Sequence, residues 1–311
     1  MDTILSPIMW VVAWVMYGAH WVFARLGFGD GPGFAWVLAI IALTLIMRAA
    51  MIPLFVKQIK ASRGMQIMQP ELQAVQKKYK GKQDPASREA MTRETMELYK
   101  KHGTNPFASC LPILLQSPIF FALFRVLTHL KGIADGTAPM THIGPIDQAI
   151  ASDFERSSLF GAHLSEVFLH TDNTAARVVV IVLIVAMSVT TFTTQRQLTM
   201  KNMPKAALEG PMAGTQKMML YVLPLVFAFS GVNFPVGVLI YWTVTNLWSM
   251  GQQYYTIKRM PAPGSEAERR LQERKARKLA AKGIVPEVVA EQARPTGQRV
   301  QPQRKNRKKK G

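Results

Sequence analysis

Five long apolar runs without a single Asp or Glu decide most of what this chain can become. They cover residues 34–56, 107–130, 178–195, 218–233 and 234–255. A bilayer core is crossed by about 20 mostly apolar residues in a helix. The fourth run is short, and its link to the fifth, around residues 231–237, must be a tight turn at a membrane surface. Charge is kept apart from these runs. The formal net charge is +19, although only 18% of residues are charged. Residues 57–103 hold eleven Lys/Arg against five acids, and residues 258–311 hold seventeen against five. A soluble globule interleaves its charges, and a disordered basic protein has no such runs. The pattern predicts an all-α polytopic membrane protein with five core transmembrane helices.

Loop charge sets the orientation, because basic loops stay on the cytoplasmic side. The basic stretch after the first run faces inward. Residues 131–176 carry two basic residues and six acids, so they face outward. Residues 196–217 carry four basic residues and Glu209, which suits the inside. The N-terminus is then outside and the C-terminus cytoplasmic. The divisions are an N-terminal helix and linker (1–33), spans at 34–56, 105–130, 177–195, 217–233 and 234–256, and a cytoplasmic helical hairpin at 57–104. An outer loop (131–176), a cytoplasmic loop (196–216) and a basic, largely disordered tail (257–311) complete the chain. The start, residues 4–23, has no basic leader and no A-x-A site, which argues against a cleaved signal. Trp10, Trp14, Tyr17 and Trp21 recur at spacings of 4, 3 and 4. That aromatic stripe favours a helix lying in the interface over a sixth span.

In the hairpin, Met65, Met68, Leu72, Val75 and Tyr79 form a coiled-coil seam, completed by Met91 and Leu98 on the return helix. Asp84 and Pro85 suit the start of that second helix, and Pro70 should kink the first. Lys77, Lys78, Lys80 and Lys82 cluster at the tip as a recruiting surface. In the tail, Ser265 and Glu268 form a capping box and Gly283 is placed to end the helix. Lys305, Arg307, Lys308, Lys309 and Lys310 crowd the end, where they suit a polyanion, ribosomal RNA or anionic lipid.

No His/Cys/Asp/Glu cluster has metal-ligand spacing, and no Gly-rich phosphate loop or nucleophile triad is visible. The lone Cys110 reads as a small apolar residue. Neither an enzyme nor a cofactor is expected. Arg48 is the conspicuous polar residue. It lies nine residues before Lys57, or roughly 13 Å of helix inward. A charge at a helix centre costs at least about 2.5 kcal/mol, and none of the five runs offers it a carboxylate. Thr44, Gln116, Thr191, Thr194, Gln195, Tyr241, Trp242, Thr245, Asn246, Ser249 and Gln253 lie at similar depth. Together they predict a wet, positive cavity open to the cytoplasm and closed outside. It would suit a polar or acidic stretch of another chain entering the bilayer.

Several separated motifs, in order, then resemble the YidC/Oxa/Alb insertase family. Thr44–Arg48 with Ile52-Pro53-Leu54 is similar to its first core span, and Met68-Gln69-Pro70-Glu71-Leu72 to its hairpin, where Pro70 is usual. Leu98-Tyr99-Lys100, Asn105-Pro106-Phe107, Cys110-Leu111-Pro112 and Gln116-Ser117-Pro118-Ile119-Phe120 resemble the entry to the second span. Phe234-Pro235-Val236-Gly237, Leu239–Trp242 and Asn246-Leu247 resemble the fifth. The resemblance implies an insertase and chaperone that moves hydrophobic segments of nascent membrane proteins into the bilayer, alone or with the Sec translocon. It makes Arg48 the groove charge and sets Gln195 and Trp242 among the groove-lining residues. Implied partners are the ribosome at the tail and the signal recognition particle or its receptor at the hairpin. The large periplasmic domain of Gram-negative members and the lipoprotein signal of many Gram-positive ones are not seen, which looks like an actinobacterial member. The alternatives are a small-molecule anion transporter built on Arg48 and a polybasic scaffold that tethers ribosomes.

Overall fold

A computed structural model describes residues 2–29, 33–82, 84–103, 111–197, 202 and 213–282. It is mostly helical. In chain order the helices are α1 (Asp2–Phe23), α2 (Ala35–Ala50), α3 (Ile52–Lys78), α4 (Pro85–Lys101), α5 (Leu111–Ala134), α6 (Gln148–Arg156), α7 (Thr174–Arg196), α8 (Ala213–Gly231), α9 (Val236–Arg259) and α10 (Glu266–Ala280). A two-stranded antiparallel hairpin, β1 (Ser158–Leu159) and β2 (Ala162–His163), follows α6. The lysines at 305–310, Cys110 and the Asn105-Pro106-Phe107 motif lie outside the described residues, as does most of the 196–216 loop. The chain forms two units, Met1–Glu268 and Arg269–Gly311. The second contributes the body of α10 to the described residues.

Within the first unit, α9 is the helix on which the others assemble. It packs on α7, α2 and α5; α8 lies on α7; α1 packs on both α2 and α5. Lipid tails are as apolar as leucine, so such helices associate through close fit rather than water exclusion. Two glycines permit that fit. A Cβ on Gly237 would sit 3.2 Å from Ile40 Cδ1 and 3.3 Å from Leu127 Cδ1, where α9 crosses α2 and α5. One on Gly231 would sit 2.9 Å from Ile184 Cγ1, at the contact of α8 with α7. Trp36, Ile40 and Leu43 of α2, Leu123, Leu127 and Leu130 of α5, and Met187 of α7 are fully buried.

The segment 135–173 is fastened to one end of this bundle. Asp147 caps α6 by accepting from the Ile150 N–H at 3.0 Å, and Asn173 caps α7 by accepting from the Ala175 N–H at 3.0 Å. The start of α9 has no side-chain cap. Its Val236 and Gly237 N–H groups donate instead to the carbonyls of Glu166 and Leu164, at 3.0 and 2.9 Å. This segment thereby satisfies the open end of α9.

The first apolar run is not one straight helix. It breaks at Met51, where α2 and the first turns of α3 meet at 49°. Pro53, which lacks an N–H, sits in the first turn of α3, where no intrahelical bond is lost. The bend shortens the distance from Arg48 to Lys57, measured along the axis of α2, from roughly 13 Å to about 10 Å. Pro70 lies within α3, which runs on through it to Lys78. By length and composition alone, Ile4–Phe28 and Thr174–Arg196 can each cross a membrane, and the bent α2–α3 pair makes a third.

α1 buries Leu5, Met9, Val12, Ala13, Met16 and His20, and exposes Trp10, Trp14 and Trp21. The three indole rings are about half-exposed, and Trp10 and Trp14 also lie against Gly144. α3 and α4 run antiparallel. Met68, Leu72 and Leu98 are buried between them with Tyr99 against this core, while Val75 and Met91 are half-buried and the Met65 side chain lies outside the described ones.

Candidate functional site

Arg48 occupies the last turn of α2 and is 7% exposed. Its guanidinium carbon lies 5.8 Å from the Phe55 ring on the first turns of α3. Among the described residues it has no carboxylate partner, and its Nε is buried without a hydrogen-bond acceptor. One turn earlier Thr44 is fully buried and donates to its own helix, to the Ile40 carbonyl at 2.7 Å. From α9 the Tyr241 hydroxyl is near enough to interact electrostatically with the guanidinium. Tyr241 is 3% exposed and accepts a hydrogen bond from the Gln116 amide of α5. Three helices thus bring Arg48, Tyr241 and Gln116 together.

The polar lining continues along α7 and α9. The Asn246 amide donates to Thr191 Oγ1 at 3.0 Å and to the Met187 carbonyl at 3.4 Å. Gln116 Oε1, Ser188 Oγ, Thr194 Oγ1, Thr243 Oγ1 and Gln253 Oε1 are buried with no partner among the described residues. Buried polar atoms are normally paired, and leaving one unpaired costs about 1–3 kcal/mol. Such atoms occur on α5, α7 and α9. Gln195 is half-buried near the end of α7. Trp242 packs in an aromatic cluster, with ring centroids 4.9 Å from Phe227, 5.3 Å from Phe120 and 5.6 Å from Phe234.

The sequence places Arg48 in an open wet cavity. In the structure it is covered. Phe55 stands over it, and Gln58 one turn later is itself 8% exposed. Both residues lie on the first turns of α3, which leaves α2 at 49° after Met51 and contacts α5. α2 and α5 are joined mainly through α1 and α9 rather than through each other.

Three features were not singled out from the sequence, although Arg125, inside the second apolar run, carries the same signal as Arg48. Asp153 of α6 accepts from the Trp36 indole N–H at 2.8 Å and stands 3.4 Å from His20 Nε2, whose ring stacks on Trp36 at 3.9 Å. The hint was His20 itself, which extends the buried stripe of α1 by one more turn. Glu155 accepts from the Ser165 hydroxyl at 2.6 Å, and burial pushes its carboxyl above the ordinary carboxylate range. A second arginine, Arg125, stands half-buried in α5.

The lysine tip is only partly available. Lys78 pairs with Glu94, which also accepts from the Tyr79 hydroxyl at 2.8 Å. That lysine holds the Glu94 carboxyl below its usual range and is itself raised in return. Lys82 Nζ lies 5.6 Å from the Tyr79 ring, and Lys77, Lys80 and Lys82 are exposed. Further down, Glu71 bridges Lys101 and His102, each at 2.9 Å, and Lys101 is the main cause of its lowered pKa.

A family model described as "60Kd inner membrane protein" matches residues 28–263. The chain belongs to this family. The matched region contains every motif that carried the resemblance to YidC proteins. A Streptomyces avermitilis relative named "Membrane protein insertase YidC" is 44% identical over 286 residues, covering 88% of this chain and 64% of the relative. A Tropheryma whipplei (strain Twist) relative of the same name is 38% identical over 277 residues, covering 86% of this chain and 87% of the relative. The chain thus spans less than two thirds of the Streptomyces relative's length. A solved chain titled "Active YidC insertase crystal structure with the first transmembrane domain resolved" aligns with a TM-score of 0.45 and 22% identity, over 82% of this chain and 46% of that one. Family membership makes this a bacterial membrane protein.

Proposed function

We propose that the protein is a membrane protein insertase that passes hydrophobic segments of nascent proteins from the cytoplasm into the bilayer. It contains five core spans with the N-terminus outside and the C-terminus inside, and α1 lies in the outer interface. The observation that carries the reading is Arg48: a buried guanidinium with no carboxylate partner among the described residues, beside the Tyr241–Gln116 pair. A permanent charge is kept at such a place only for a use, because intramembrane charges are costly. An incoming acidic or polar segment supplies the missing counter-charge. Buried polar atoms on α5, α7 and α9 lower the cost of holding its backbone, and its apolar helix then leaves into lipid. No covalent step is involved.

The covered state of Arg48 fits a site that opens only for a guest. α3 carries Phe55 over the guanidinium, and the break at Met51 is a natural hinge. The outer segment, tied to α9 and to Trp36, supports closure on the far side. The interfacial placement of α1 is supported by its contacts with that segment: Gly144 stands against Trp10, Ala13 and Trp14, and His20 against Asp153. The exposed lysines of the α3–α4 tip and the basic tail suit recruitment of ribosomes, the signal recognition particle or its receptor, and cooperation with the Sec translocon. The names of the relatives favour insertion over anion transport or simple tethering.

The test is reconstitution. Purified protein in liposomes should insert a short single-span substrate supplied from the outer, cytoplasm-equivalent side, in proportion to protein present. Empty liposomes set the background. Insertion no better than that background would overturn the reading.

A further inference from the structure

We infer that α10 is a docking helix for anionic phospholipid headgroups. At 100° per residue, Arg270, Arg274, Lys275, Arg277 and Lys278 fall within a sector of about 160°. Leu271 lies inside that sector, and Leu279, 37% exposed, borders it. Glu266 and Glu273 stand about 20° and 40° beyond one edge of the sector, and Glu273 is 3.7 Å from Arg269, outside it. The carboxylate of Glu268, at the edge of the basic sector, is occupied by the Gly264 N–H at 2.6 Å. The five cations of the sector are exposed.

Two observations choose lipid over nucleic acid. The first is tethering. α9 ends at Arg259 and α10 begins at Glu266, so the two ends are no more than about 25 Å apart. The connection is ordered. Asn202 accepts from the Ala262 N–H at 2.8 Å, the Ser265 hydroxyl donates to the Ala262 carbonyl at 2.7 Å, and Ser265 accepts from the Glu268 N–H at 3.2 Å. The start of α10, kept this close to the end of a membrane span, meets headgroups before any other polyanion. The second is the leucine among the cations. An apolar residue flanked by long basic side chains suits an interface where Leu enters the acyl boundary and the cations reach back to phosphate. α10 carries no aromatic side chain on which bases could stack.

The test uses the full chain in nanodiscs and does not depend on insertion activity. Amide exchange in α10 should be about tenfold slower in discs containing phosphatidylglycerol than in pure phosphatidylcholine. The slowing should vanish at about 1 M salt and in an Arg274→Gln/Arg277→Gln/Lys278→Gln variant, where Gln preserves helix propensity. Equal exchange in the two kinds of disc would overturn the assignment. So would protection that appears only on adding ribosomal RNA, whatever the lipid.

Discussion

Replacing Arg48 by Ala should leave the protein at least as stable while weakening its action on acidic guests. The two effects come from the same geometry. The guanidinium is 7% exposed and its Nε has no acceptor, so the fold gains little from it. A charge at a helix centre costs at least about 2.5 kcal/mol; near the end of α2 the relief on removal should be about 1 kcal/mol. A guest carboxylate reaching 4 Å from the guanidinium would gain about 4 kcal/mol at an effective dielectric of 20, and about 1–2 kcal/mol in wetter surroundings. That is roughly a five- to thirtyfold effect. The assay compares two single-span substrates that differ only by Glu or Gln in the segment to be carried across. The ratio of their insertion rates should fall by that factor in Arg48→Ala and stay near the parent value in Arg48→Lys. Equal losses for both substrates would refute the reasoning, as would a large drop in melting temperature.

The segment 135–173 and the α3–α4 pair offer further checks. Asp153→Ala strands the buried Trp36 N–H and should cost about 1–3 kcal/mol, seen as faster amide exchange in α6. Met68→Ala removes a fully buried side chain between α3 and α4; a loss of about 2–4 kcal/mol should appear as faster exchange in α4, with the bundle unaffected. Glu155 has a folded-state pKa raised by burial, so the folded form binds more protons than the unfolded one above the ordinary carboxylate range. Stability should therefore fall as pH rises through that raised pKa, and Glu155→Gln should flatten the dependence and stabilise the protein at neutral pH.

Elements with a period or a cap were legible in the sequence. Asp84 accepts from the Ser87 N–H at 2.8 Å and Pro85 opens α4, as their order implied. The seam residues Met68, Leu72 and Leu98 are the ones buried. Ser265 caps α10, although Glu268 reaches back to Gly264 rather than to Ser265. The polar residues around Arg48 could be gathered because helical depth follows from counting. The cover over Arg48 could not, since it depends on a bend of 49° at Met51 that Pro53 permits but does not dictate. Trp242 could be given a depth but not a direction, and its neighbours Phe120, Phe227 and Phe234 come from three separate stretches of chain. Asp153 was invisible as a bundle residue because it arrives from a loop helix 117 residues after its partner Trp36.

Whether the interior beside Arg48 is reached from the cytoplasm alone can be measured by thiol labelling. Gln116→Cys, in a Cys110→Ala background, places a thiol beside Tyr241; Val185→Cys, 54% exposed on α7, serves as a lipid-facing control. A membrane-impermeant maleimide should modify position 116 from the cytoplasmic side only, and faster while a substrate is being inserted, with position 185 untouched. Labelling of position 116 from the outer side, or from neither side with substrate present, would contradict an inward-opening polar site.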